Sequence, residues 1–245
     1  MTTVDGREKA SGRTAGGSAG SGKRGASYNL NGQRLGRKGR VTRERIIAAA
    51  LVLLDGPRDN PITLSAVARE ASLGMSSIYQ YFGNLTELLL AVLEPVMATA
   101  EEAYIAPIRQ RWTEEELHER CHEFVEAYYR FWERHARILH QRNAMADQQD
   151  KDMILHRVSS ATPVIKLLVT QMDNDPEVMG TPAYGMATVL YTGIERVVTV
   201  ATDLEFQRVV PGAFRTQVED YIAAEARLLE LGIREHRTLK AAAQA

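Results

Sequence analysis

The chain has 245 residues, 44% of them hydrophobic, and a net charge of −1, which is enough for a sizeable core in one large or two small domains. Its single cysteine, Cys121, excludes an intrachain disulfide. No apolar run reaches the ~18 residues of a membrane span and the N-terminus has no hydrophobic signal segment, so the expected setting is the cytoplasm, with no membrane partner.

The charge is unevenly distributed. Residues 1–40 carry nine Lys/Arg against Asp5 and Glu8, which leaves −8 for the rest of the chain. The same stretch holds ten of the 18 glycines and almost no large apolar residue. It cannot bury enough surface to offset its ordering entropy, so disorder is expected. It reads either as a basic arm that tracks DNA, with residues 34–43 nearest the body, or as a solubilising tail or artificial leader.

A first helix is expected from Thr42, a plausible cap, to Asp55, with Ile46, Ile47, Ala50, Leu51, Leu53 and Leu54 inward and Gly56-Pro57 as the stop. After the loop Arg58–Pro61, Thr63 is a good N-cap for a helix with Leu64, Val67, Ala68 and Ala71 at helical spacing. The chain then turns at Ser72-Leu73-Gly74, and a second short helix is expected over Met75–Phe82. Its Ile78 and Phe82 face inward while Ser76, Ser77, Tyr79, Gln80 and Tyr81 point largely outward. So short a helix is not stable alone; the arrangement is that of a helix-turn-helix whose second helix enters a DNA major groove.

Residues 71–82, ASLGMSSIYQYF, followed by Leu88, resemble the DNA-binding signature of the tetracycline-repressor (TetR) family, with the match extending over Arg43–Leu90. Ser72 stands where that signature has a turn glycine, Gly74 where it has a capping serine, and Leu85 where it has a phosphate-contacting lysine. The resemblance implies a ligand-responsive transcriptional regulator, a repressor, released from DNA by a small-molecule effector. It also implies Tyr79 and Tyr81 as DNA contacts, a following helix that links the head to a regulatory body, and dimerisation through two C-terminal helices. Tyr79 could instead be half-buried with only its hydroxyl exposed.

Residues 41–90 hold four Lys/Arg and five Asp/Glu, and the expected recognition helix has no charge. Phosphate contacts then fall to hydroxyls, helix N-termini, flanking arginines and the arm. Gln80 can pair with adenine, Ser76 and Ser77 with several base edges, and Met75 can meet a thymine methyl. The candidate DNA-contacting set is Arg40, Thr42, Arg43, Thr63, Ser65, Met75, Ser76, Ser77, Tyr79, Gln80 and Tyr81.

A fourth helix is expected from near Thr86 to about Tyr104, with Pro95 as a kink. Further helices are expected at 113–135, 136–147, 150–173, 182–203 and 211–233, with no strand alternation. The expected fold is therefore all-α, with an arm at 1–40, a three-helix head within 41–90, a helical-bundle body at 91–235 for ligand binding and dimerisation, and a tail at 236–245. Apolar stripes on the last two helices (Val189, Leu190, Ile194, Val197, Val198, Ala201; Val218, Tyr221, Ile222, Leu228, Leu229) could be core or could pair with a second copy. A dimer suits an inverted-repeat operator on double-stranded DNA.

Trp112, Phe124, Tyr128, Tyr129, Phe131 and Trp132, then His135, Arg137, His140, Arg142, Met145, Met153 and His156, crowd the middle helices. Most such aromatics are core, but a cavity lined by aromatics, Met and a few polar groups is the usual small-molecule site. The candidate ligand site is Tyr128, Trp132, Met145, Met153, Tyr191 and Glu195, taking a small, largely apolar or aromatic effector. Glu195 could anchor the ligand, or it could pair with Arg196 or a partner chain. His118, Cys121 and His122 share one helical face at metal-ligand spacing, but one helix cannot complete a site, so a solvated polar face is the better reading. Redox sensing by Cys121 would need an intermolecular partner. No catalytic motif is present, so no enzyme, no metal and no cofactor are expected. The alternative function is a constitutive or architectural DNA-binding protein whose body only dimerises.

Overall fold

The computed structural model describes residues 34–56, 61–210 and 217–243. These residues are all-α, with no strand among them. Most of the expected arm lies outside the described residues. Its last part is not an arm, because helix α1 spans Arg37–Asp55 and begins five residues ahead of Thr42. Leu35 causes this early start. It is buried and lies across Gly39, where a Cβ would sit only 2.9 Å from its Cδ2. Thr42 is thus inside the helix and caps nothing; its hydroxyl donates to Lys38 O at 3.0 Å. Ile46, Ala49, Ala50 and Leu54 form the buried face, while Leu51 is exposed.

Helix α2 is Leu64–Glu70, and Thr63 caps it by accepting from Ala66 N–H at 3.1 Å. The turn passes through Ser72 at φ +52°. The serine keeps the left-handed backbone that the resemblance assigns to glycine, at a steric cost that glycine does not carry. Helix α3 is Met75–Tyr79, shorter than the expected Met75–Phe82, because Gln80 ends it and Tyr81 is already in a turn. It has no side-chain N-cap, as expected with Gly74 in place of serine. Tertiary packing therefore holds it. Ile78 and Phe82 are 0% and 3% exposed, and each contributes roughly 1.5–3 kcal/mol by burial.

Helix α4, Leu85–Ala98, starts with a reciprocal cap in which Asn84 accepts from Glu87 N–H and the Glu87 carboxylate accepts from Gly83 N–H, both at 2.8 Å. Beyond Thr99 the helical path continues through a π-helical turn, Glu101–Ile105, into α5, Ala106–Arg109. A π-turn adds one residue to the turn, and it carries Tyr104, 3% exposed, into the body.

The body consists of α6 (Leu117–Arg134), α7 (Ala136–Asp147), α8 (Lys151–Gln171), α9 (Pro182–Ala201), α10 (Leu204–Val209) and α11 (Val218–Ala242). Helix α11 lies along α6 and α9, α8 packs on α7 and α9, and α4 reaches α7 and α8. One continuous apolar cluster runs from Ile46 in α1 to Ile233 in α11. Helix α6 starts later than expected because Thr113 and Glu116 close their own capping turn ahead of it. Asp150 caps α8 through Oδ1 and accepts from the Thr86 hydroxyl through Oδ2 at 2.5 Å, so one carboxylate joins the body to the start of α4. The expected start of the last helix at 211 lies outside the described residues. Its expected end at 233 and the tail at 236–245 are corrected, since α11 runs to Ala242. His236 and Arg237 are buried, and Arg237 donates to the carbonyls of Gln171 and Trp112 at 2.7 and 3.0 Å. Among the described residues no helix is long and apolar enough to cross a membrane.

Candidate functional site

The head presents Ser76, Tyr79 and Gln80 outward from α3 and its C-cap, with Met75, Ser77 and Tyr81 partly covered. Tyr79 is 50% exposed, more than a hydroxyl alone accounts for, so its ring also reaches solvent. Thr63 and Ser65 are exposed at the start of α2 with their hydroxyls 3.0 Å apart. They line a cavity of about 290 Å³ with Leu53, Pro61, Ala66 and Arg69.

The arginines divide into two kinds. Arg34, Arg37, Lys38, Arg40 and Arg45 are exposed at the start of α1. Arg43 is half-buried, with its guanidinium 5.2 Å above the Phe82 ring. Burial pulls its pKa down, opposed by the Glu94 and Glu44 charges. Arg43 thus braces the segment that follows α3, a role the sequence did not indicate.

In the body, Tyr128, Trp132 and Tyr191 of the expected ligand set pack together. Tyr128, Trp132, Met153, Tyr191 and Glu195 are buried and Met145 is partly so. The Tyr128 and Tyr191 hydroxyls are 3.0 Å apart, and the Tyr128 and Trp132 ring centroids 6.4 Å apart. Tyr104, Arg142, His156 and Arg157, outside the expected ligand set, stand beside them. Tyr104 packs edge-on against Tyr128 at 5.0 Å. Glu195 does not pair with Arg196; Arg142 Nη2 and Arg157 Nη2 stand 3.5 and 3.6 Å from its two oxygens. Burial raises all three tyrosines, Tyr191 up to about 12 with the Glu195 charge adding to the effect, so their hydroxyls stay protonated at neutral pH. Burial, aided by Arg142, lowers His156 to about 4, and its Nδ1 is buried without a hydrogen-bond partner.

The three soft side chains on α6 do not form one exposed face. Cys121 points into the core, and burial with the Glu230 charge pushes its thiol up to about 12. His118 Nδ1 lies 2.8 Å from Glu230 Oε2. Burial of Glu230 opposes its ionisation, but His118, Arg227 and Arg234 outweigh this and bring the carboxyl down to about 2. Among the described residues no three His, Cys, Asp or Glu side chains are arranged to hold a metal ion. A separate cavity of about 170 Å³, lined by Tyr129, Glu133, Ala136, Thr202, Leu204 and Gln207 among others, lies beside α10, away from the expected ligand residues. No protein-family model matches the chain, and no curated protein does either.

Proposed function

We propose that the protein is a homodimeric, ligand-responsive transcriptional regulator of the tetracycline-repressor type, most simply a cytoplasmic repressor. The observation that carries this reading is the α2–turn–α3 unit, which buries Ile78 and Phe82 and leaves Ser76, Tyr79 and Gln80 outward on an almost uncharged helix end. Such a surface suits base edges, and the exposed cations at the start of α1 suit phosphates. Two heads are needed for a specific site. The exposed Val189 of α9 with Leu228, Leu231 and Leu239 of α11 gives the body an apolar face for a second copy. A small, largely apolar or aromatic effector acts on the buried cluster of the body. It favours a conformer in which α4 carries the heads apart, by no more than its differential affinity for the two conformers.

The test is selection of DNA fragments by the full-length protein. The expected result is one enriched inverted repeat, bound more weakly by Tyr79→Ala and Gln80→Ala with the fold intact. A bidentate base contact is worth about 1–3 kcal/mol, so the Gln80 variant should lose roughly 5- to 150-fold in affinity. Unchanged affinity in both variants would refute the site. The architectural alternative draws on the mutual contact of the ligand-site residues; salt-sensitive, sequence-independent binding would establish it in place of the regulator.

A further inference from the structure

Buried in the body is an arginine with few close partners. Arg142, on α7, is 4% exposed. Its Nε donates to Asn143 Oδ1 at 3.0 Å, and its Nη2 stands 3.5 Å from Glu195 Oε1. Guanidinium–carboxylate pairs that share a proton close to about 2.7–2.9 Å, so the Glu195 contact is loose. A guanidinium has five N–H donors, and burying them unmatched is costly. Glu195 is equally undercommitted, held between Arg142 and Arg157 at 3.5 and 3.6 Å. The cluster sets two guanidiniums against one buried carboxylate, since Asp147, which also faces Arg157 at 3.4 Å, is largely exposed. Two further features accompany this cluster. The Arg142 Cζ lies 5.7 Å over the Trp132 ring, so the cation is stacked on an aromatic face whose edges border the guanidinium. The buried Nδ1 of His156 is a hydrogen-bonding atom with no partner in the protein.

We propose that this cluster recognises a carboxylate, with the ligand's two oxygens on the guanidinium fork of Arg142 and its apolar part on Trp132. Glu195 occupies the place loosely in the free protein and shifts toward Arg157 when the ligand binds. The assignment names the ligand class for the effector site proposed above and rests on that reading for its regulatory consequence; the binding step itself does not require DNA.

The test uses the full-length protein and pairs of isosteric probes: butyrate, octanoate and phenylacetate, each with its amide, followed by calorimetry and thermal unfolding. The expected result is an acid that binds about 10- to 100-fold tighter than its amide, the value of a charge-assisted fork over a neutral contact. Arg142→Met should reduce the acid to the level of the amide. Arg142→Lys, which keeps the charge without the fork, should retain part of the preference and guards against a variant that fails to fold. Glu195→Gln, which removes the carboxylate that competes for the fork, should tighten acid binding, and unchanged or weaker binding would count against the proposal. Acid and amide binding alike, or binding of no acid, would overturn the proposal, as would phenethylammonium outcompeting phenylacetate, which would make Glu195 the anchor. A selected inverted repeat without acid binding refutes this inference alone. Acid binding without sequence-specific DNA binding refutes the regulator reading alone.

Discussion

Replacing Arg237 by Met tests whether the C-terminal turns of α11 belong to the core. The thioether keeps most of the buried stem but supplies no donor. Arg237 donates to Gln171 O at 2.7 Å, to Trp112 O at 3.0 Å and to Glu114 Oε1 at 2.6 Å. The first two acceptors are backbone carbonyls packed beside a 7% exposed side chain, and neither can turn to water. Leaving a buried acceptor unsatisfied costs about 1–3 kcal/mol. The half-exposed Glu114 regains hydration and keeps Arg234 at 2.8 Å, so it adds little. The two acceptors sum to roughly 2–6 kcal/mol, or a fall in Tm of about 4–24 °C at the usual 2–4 °C per kcal/mol for this chain length. Urea and thermal unfolding followed by circular dichroism measure it. Arg130→Met serves as control, since Arg130 is 71% exposed and pairs only with Glu126 one turn away, a contact worth about 0.3–0.5 kcal/mol. Equal losses in the two variants, or a loss below about 1 kcal/mol for Arg237→Met, would refute the reasoning that the helix end is a structural anchor.

Other expectations follow from single features. Ser72→Gly should stabilise the head by about 0.5–1 kcal/mol, because φ +52° suits glycine; a lower Tm would show that the serine has a compensating contact. His156→Gln should flatten one limb of the pH–stability curve. The native pKa is depressed from 6.5 to about 4, so the unfolded chain takes up the proton first. The contribution is complete above 6.5 and is lost as pH falls toward 4, by about 1–2 kcal/mol after allowing for partial exposure. The separate limb below about 4.5, set by Glu230 with its pKa near 2, should persist in that variant. Leu228→Glu combined with Leu231→Glu should convert a dimer to monomer in sedimentation while leaving the helical spectrum intact, since both side chains are about half exposed in the single chain. Unchanged sedimentation would remove α11 from the proposed dimer face.

Periodicity and caps made much of the fold legible. Thr63 before Leu64, Pro182 at a helix start and the 3.6-residue recurrence of apolar positions mark elements that the structure keeps. The failures have physical causes. Arg237 and His236 look like a polar tail, because burial of an arginine depends on carbonyls more than 60 residues away in sequence. Leu35, a lone leucine in a glycine-rich stretch, gives no periodic signal, yet its fit over Gly39 starts α1 early. The burial of Tyr128, Trp132, Met153 and Tyr191 was legible from composition, as aromatic and sulfur side chains on inward faces. Arg142 and Arg157 were missed as partners of Glu195 because charge pairing across α7, α8 and α9 leaves no trace in spacing. Tyr104 was missed because its inward direction depends on the extra residue of a π-turn.

Cys121 has a practical consequence. It is the only thiol in the chain, it sits fully buried on α6, and its pKa is pushed up to about 12. A thiol-selective electrophile in neutral buffer therefore meets no thiolate in the closed protein. The native chain is then a blank background, so a cysteine introduced on α3 or α9 can carry a fluorophore alone, without first mutating the core. The same silence makes Cys121 a clock: its slow labelling reports how often α6 opens from the core beside Glu230 and Arg237 of α11.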